Sequence, residues 1–236
     1  MKDDDFTIRP LPKQDSGKSK IPINLPRGNL VIVGPSGSGK STLLINLILR
    51  KKFGYIEEYD KIIIFTPTLF LDNSWQLVLE YNQKKNPKKY AEIILHDEYD
   101  EEEIEDIFTL QEQTDKSERP KILIILDDVA DQLQAKSNSL LIKTFFKGRH
   151  YNISCWISSQ SYKAVPRSVR VNSSFIFLNI NPNERSMISQ ELSREDKTVF
   201  LRKLEHCLSE KYSFIYLNMK ETVQKMYCKN FKEFIE

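Results

Sequence analysis

The chain of 236 residues predicts an α/β fold, with a central, mostly parallel β-sheet flanked by helices and a β-hairpin near the C-terminus. Continuous apolar runs, rather than alternating ones, recur at 29–33, 61–66, 122–126, 153–158 and 174–179. Such runs suit strands buried on both faces, as in a parallel sheet. Helical stretches separate several of them, and strands alternating with helices imply right-handed parallel crossovers. The first run also leads through GPSGSGKS at 34–41 straight into the apolar helix 42–49, a strand–loop–helix order. That context turns a short pattern into a binding site.

Three of the seven glycines, Gly34, Gly37 and Gly39, fall within six residues, which a generic surface turn does not explain. They let successive N–H groups point inward, and the following helix adds the positive end of its dipole. The chain is thus expected to form a P-loop NTPase domain of RecA-like (ASCE) type. Gly34, Pro35, Ser36, Gly37, Ser38, Gly39, Lys40, Ser41 and Thr42 form its nucleotide cradle. Lys40 reaches the β- and γ-phosphates, Ser41 is the hydroxyl ligand for Mg²⁺, and Thr42 helps at the α-phosphate. The cofactor pair is ATP with Mg²⁺.

Along the chain, residues 1–20 are polar and interrupted by Pro10, Pro12 and Gly17, so they read as a flexible arm before one domain at 21–236. Segment 61–66 ends at Pro67, and 68–90 is mixed, holding the lysine cluster Lys84, Lys85, Lys88 and Lys89. That cluster is either a solvated surface or a DNA-facing loop. Ile93–Leu95 is a short strand. The acidic stretch 97–106 carries Ile104, Ile107 and Phe108 at helical spacing, which fits a solvated helix better than a metal site. Residues 111–120 read as a polar, mobile linker. A helix is expected at 133–146, broken at Gly148. Ser193–Asp196 resembles a capping box ahead of Val199, Phe200, Leu204 and Leu208. Residues 212–218 and 222–227 read as the hairpin.

The strand at 122–126 ends in Asp127-Asp128. Ligands gather at the carboxyl ends of parallel strands, so Asp127 is placed to bind the magnesium ion as a Walker B acid. Asp128 is the general base that orients the attacking water, in a place where many related ATPases carry the longer glutamate. Gln160 closes the next strand and can sense the γ-phosphate. Hydrolysis also needs a cation on the transferring phosphoryl group, often supplied by a neighbouring subunit as an arginine finger. Arg149 and Arg170, flanking the strand that carries Gln160, are the candidates. His150 reads as a packing or hydrogen-bonding residue rather than a metal ligand.

With a net charge of +2, composition alone does not argue for nucleic acid. Cys155, Cys207 and Cys228 are odd in number and lack CxxC spacing, so neither a disulfide framework nor a zinc site is expected. A reducing compartment fits them. Met1–Phe6 is acidic and no apolar run approaches ~18 residues, so neither signal peptide nor transmembrane span is expected.

Taken together, GPSGSGKST (34–42), IIIFTP (62–67), LIILDDVADQL (123–133), FFKGRHYNIS (145–154), SSQSYKAVP (158–166) and RVN (170–172) resemble the genome-packaging ATPases of nucleocytoplasmic large DNA viruses. That group includes the poxvirus packaging ATPase and belongs to the FtsK/HerA superfamily. The resemblance covers about 27–180 and supports the roles given to Lys40, Ser41, Asp127, Asp128 and Gln160. It brings Arg149 and Arg170 forward as intersubunit arginines. It implies a ring, pentameric or hexameric, that drives double-stranded DNA into a preformed capsid. Capsid, portal-vertex or membrane proteins of the virion are the implied partners, and the host cytoplasm or virion the location. Residues 181–236 match no motif. A nucleotide kinase would use the same loop but needs neither Asp128 nor Gln160, and no arginine-rich lid is evident. A non-catalytic, nucleotide-regulated assembly protein is the other alternative, opposed by the Asp127-Asp128 pair. An LSGGQ-like signature and an NKxD motif are absent, which excludes ABC ATPases and GTPases.

Overall fold

The computed structural model describes residues 28–50, 53, 55–84, 90–129 and 139–235. Among them the strands form one nine-stranded sheet. They are β1 (Leu30–Val33), β2 (Lys61–Phe65), β3 (Glu92–His96), β4 (Ile122–Asp127), β5 (Ile153–Ser159), β6 (Ser174–Phe177), β7 (Ile215–Leu217), β8 (Tyr227–Lys229) and β9 (Glu233–Phe234). Their order is β3-β2-β4-β5-β1-β6-β7-β8-β9. The first six pair in parallel, and β7, β8 and β9 extend the sheet antiparallel. The α/β fold with a mostly parallel sheet and a C-terminal hairpin is therefore as expected.

The helices are α1 (Lys40–Leu49), α2 (Tyr55–Glu58), α3 (Asn73–Lys84), α4 (Glu101–Gln113), α5 (Ser139–Lys147), α6 (Arg167–Arg170), α7 (Pro182–Leu192), α8 (Lys197–Cys207) and α9 (Val223–Met226). A 3₁₀ turn, Gly148–Tyr151, joins α5 to β5. Because side chains alternate across a strand, each apolar strand feeds two cores. Val31, Val33, Ile63, Phe65, Ile124 and Leu126 face the layer built by α4, α5, α7 and α8. Leu30, Ile32, Ile62, Ile64, Leu123 and Ile125 face α1, α2 and α3. Burial on both faces is why these strands read as unbroken apolar runs rather than alternating ones.

Several local expectations are corrected. Residues 73–84, read as mixed, form α3, whose inner face holds Trp75 and Val78. The segment 111–120 is not wholly a linker. Helix α4 runs on to Gln113, and buried Gln111 donates from Nε2 to the Pro120 carbonyl at 2.7 Å, fastening the connection. Asp196, not Ser193, caps α8, its carboxylate accepting from the Thr198 and Val199 N–H groups. The hairpin's second strand starts at Tyr227 because Val223–Met226 makes a helical turn first. The N-terminal arm at 1–20, the start of the expected helix at 133–138, and Lys85, Lys88 and Lys89 lie outside the described residues. All three cysteines are buried and free. No helix among the described residues is long and apolar enough to cross a membrane.

Candidate active site

Strand order brings the predicted residues together. β5 lies between β1 and β4, so the loop after β1, Asp127 at the end of β4 and Gln160 just past β5 share one carboxyl edge. The loop is bound to that edge by the Gly34 N–H donating to the Ser159 carbonyl at 3.1 Å. Two of its glycines are dictated by backbone shape. Gly37 has φ 72° and Gly39 has φ 98°, left-handed values that glycine adopts without cost. Gly34 answers to space instead, since a Cβ there would meet the Leu178 carbonyl oxygen at 2.5 Å. Gly39 precedes α1, and Leu43 N–H donates to its carbonyl at 2.8 Å, opening the helix.

Lys40 is 7% exposed, and its Nζ donates to the carbonyls of Gly34 at 2.9 Å and Pro35 at 3.3 Å. Burial lowers its pKa, opposed by the nearby Asp128 and Asp127 carboxylates. Ser41 Oγ donates to Asp127 Oδ2 at 2.9 Å, and Ser158 Oγ donates to Asp127 Oδ1. Asp127 is fully buried, and that burial raises its pKa. Hydrogen bonds from Ser158 and Ser41 lower it, Asp128 raises it, and Lys40 lowers it. A divalent cation fits this set. Ser41 and Asp127 offer adjacent hard oxygens, and a cation there would offset the desolvation of a carboxylate sunk at a strand end. Among the described residues no cluster of three or more His, Cys, Asp or Glu forms a cage. Ser38 Oγ, inside the loop, is buried with no hydrogen-bond partner, an orphaned donor suited to an anion.

Asp128 follows with φ 58°, a left-handed value that carries its side chain away from the strand direction and costs backbone strain. Its N–H donates to Ser158 Oγ at 3.1 Å, and its Oδ2 accepts from Gln160 Nε2 at 2.7 Å. Ser158 therefore links both acids, a role its burial in β5 did not advertise. Loop and acids line one cavity of about 620 Å³. Its remaining wall comes from residues the sequence did not single out: Thr68, Asp72, Asn73, Ser74 and Leu77 around the start of α3, and Tyr212.

The segment that follows Gln160 is held by α7. Glu184, in the first turn of α7, accepts from Ser161 Oγ at 2.5 Å, Lys163 N–H at 3.1 Å and Tyr162 N–H at 3.2 Å. Further along α7, Glu191 accepts from Tyr162 Oη at 2.8 Å and from Arg170 Nε and Nη2 at 2.9 and 2.8 Å. Arg170 Nη1 donates to the carbonyls of Val165 at 2.8 Å and Tyr162 at 3.4 Å, and the guanidinium lies 4.7 Å from the Tyr162 ring centroid. At 8% exposure, with every nitrogen engaged, Arg170 clamps its own subunit and is not presented to a neighbour. Glu191→Ala is expected to cost about 3 kcal/mol, since removing one partner strands a buried charge. A fall in the denaturation midpoint checks it.

Arg149 has the opposite placement. It is exposed in the 3₁₀ turn at the amino end of β5, far from its own loop, with Nε donating to His150 Nε2 at 3.4 Å. His150 is accordingly a hydrogen-bonding neighbour. The four-lysine cluster contributes nothing describable, because Lys85, Lys88, Lys89 and the Lys84 side chain lie outside the described residues.

The model of the poxvirus A32 protein family matches residues 24–195, which span the loop, both acids, Gln160 and the Glu184–Glu191 helix. The chain belongs to the poxvirus A32 protein family. The resemblance read from the motifs is thus borne out, and the family match runs past them to the whole of α7. No curated protein matches the sequence. Among solved structures, the fold is similar to the genome packaging NTPase B204 from Sulfolobus turreted icosahedral virus 2 in complex with sulfate. TM-score is 0.57 and identity 18%, over 86% of this chain and 96% of that one. B204, the DNA-packaging ATPase from Sulfolobus turreted icosahedral virus, gives TM-score 0.56 and 18% identity over 88% and 98%. EssC (ATPases 2 and 3) from Geobacillus thermodenitrificans gives TM-score 0.52 and 18% identity over 80% of this chain and 43% of that one. At such identities these are likenesses of fold, and they agree with the P-loop architecture read for this family member.

Proposed function

We propose that the protein is an ATP-hydrolysing motor that moves double-stranded DNA into a preformed capsid as a homo-oligomeric ring of five or six subunits. The observation that carries the chemistry is the convergence of Lys40, Ser41, Asp127 and Asp128 on one cavity, with Gln160 bonded to Asp128. Membership of the A32 family supports the packaging role. In this reading the loop N–H groups cradle the α- and β-phosphates and Lys40 neutralises charge on the β- and γ-phosphates. Ser41 and Asp127 would hold Mg²⁺, which would supply charge neutralisation at the phosphates. Asp128 accepts a proton from the attacking water, and Gln160 fixes its orientation. The partners in this reading are duplex DNA and capsid, portal-vertex or membrane proteins of the virion, met in the host cytoplasm.

ATP turnover with and without duplex DNA tests the reading. We expect phosphate release stimulated by DNA of any sequence, with the stimulation fading as salt rises, because a translocating ring holds phosphates without reading bases. Phosphoryl transfer to a nucleotide acceptor replaces the motor with a kinase. ATP binding without turnover leaves a nucleotide-regulated assembly protein.

A further inference from the structure

A triphosphate and its cation need only the loop and the acids, yet the cavity extends beyond them to Leu77 and Tyr212. Among the described residues lining it, Tyr212 is the single aromatic, and it comes from the region where the sequence offered no motif. Topology explains its arrival. β7 runs antiparallel to β6, pairing Ile215 with Phe177, so the chain enters β7 at the carboxyl end of β6. That is the edge where the phosphate loop sits, since β6 runs parallel to β1. The turn before β7 therefore reaches a site otherwise built from the parallel strands.

The conformation of that turn is held at a cost. Tyr212 has φ 62°, a left-handed backbone that a bulky side chain rarely adopts, and the ring stays 44% exposed. On its C-terminal side the chain is fixed by Ser213 N–H and Oγ donating to the Glu210 carbonyl at 3.1 and 2.6 Å. Phe214 N–H adds a bond to Asn230 Oδ1 at 2.8 Å. Lys211 Nζ lies 4.9 Å from the Tyr212 ring centroid, covering one face with a cation. Strain of this kind persists where the surroundings impose it, and it gathers at ligand sites. Leu77, also 44% exposed, supplies a second apolar surface, and Thr68, Asn73 and Ser74 supply polar edges.

We infer that Tyr212, with Leu77, forms a nucleobase subsite that stacks the purine of a nucleoside triphosphate whose phosphates lie in the loop at 34–41. This deepens the nucleotide-hydrolysis reading and rests on it. Stacking requires a flat ring, so Tyr212→Phe and Tyr212→Trp retain it. Tyr212→Gly removes the ring and also relieves the positive-φ strain, so it keeps or raises thermal stability while losing the base contact.

The test is a comparison of two ligands, ATP and inorganic tripolyphosphate, bound to the full chain and its variants with Mg²⁺. Expected for Tyr212→Gly is a loss of ATP affinity of about tenfold, near the low end for removing a base–aromatic stack, with tripolyphosphate affinity unchanged and melting temperature not lowered. Tyr212→Phe binds both like wild type. Unchanged ATP affinity in Tyr212→Gly, or an equal loss for both ligands, overturns the subsite while leaving the phosphate site standing. A wild-type chain that binds neither ligand overturns the nucleotide reading and the subsite with it.

Discussion

Asp128→Asn is expected to leave ATP binding near wild type while lowering hydrolysis by about 10²- to 10⁴-fold, the range for a positioned general base. Asparagine suits the test because it tolerates the left-handed backbone found at this position, φ 58°, and can still accept the Gln160 hydrogen bond. The N–H bond to Ser158 does not depend on the side chain. What changes is the charge and the ability to take a proton. Removing that charge also removes an influence that raises the Asp127 pKa, so the acid assigned to magnesium becomes easier to ionise. Binding should therefore survive, and a loss confined to kcat assigns the base. Turnover undiminished in Asp128→Asn would sink the assignment.

Much of that site could be read before any coordinates because its parts are local. The phosphate loop is contiguous at 34–41, and Asp127 is marked by the five apolar residues before it. Both follow from a strand buried on two faces and ending at the ligand edge. Contacts between distant segments could not be read this way. Arg170 beside Val171 and Asn172 looked like a cation on offer, and only the fold shows Glu191, across a sequence gap of 21, taking its guanidinium. Glu184 was invisible for the same reason, since its three hydrogen bonds go to residues before β6. Helix α7 shows little apolar periodicity, whereas α3 carries Trp75, Val78 and Leu79 at helical spacing inside an otherwise polar segment. The inner face of α3 rests on Trp75 and Val78, and α7 buries Ile188, Ser189 and Leu192. Tyr212 is the clearest case, because nothing in a turn sequence tells which edge of a sheet an antiparallel strand will bring it to.

Arg149→Ala is expected to leave ATP affinity roughly intact and to lower kcat by as much as about 10³-fold, the lower end of arginine-finger effects. The argument is one of distance. Arg149 precedes β5 and Gln160 follows it, so the strand Ile153–Ser159 separates them by on the order of 20 Å at ~3.3 Å per residue. No side chain crosses that gap, so Arg149 has no route to the phosphates of its own subunit. Its surroundings suit a neighbour's approach. Phe146 and Val171, 47% and 63% exposed, line the same surface groove, and an apolar rim around an exposed cation gives a second subunit area to bury. The alternative candidate is spoken for, since Arg170 is held by Glu191. Mixing supplies the decisive measurement. Subunits carrying Arg149→Ala, whose own sites keep every loop and acid residue, should regain turnover beside subunits with Arg149 but a disabled Lys40→Ala site. They should also depress turnover when mixed into wild-type rings. A strictly proportional loss on mixing, with no rescue and no poisoning, would show that Arg149 acts only within its own chain and would remove the intersubunit assignment.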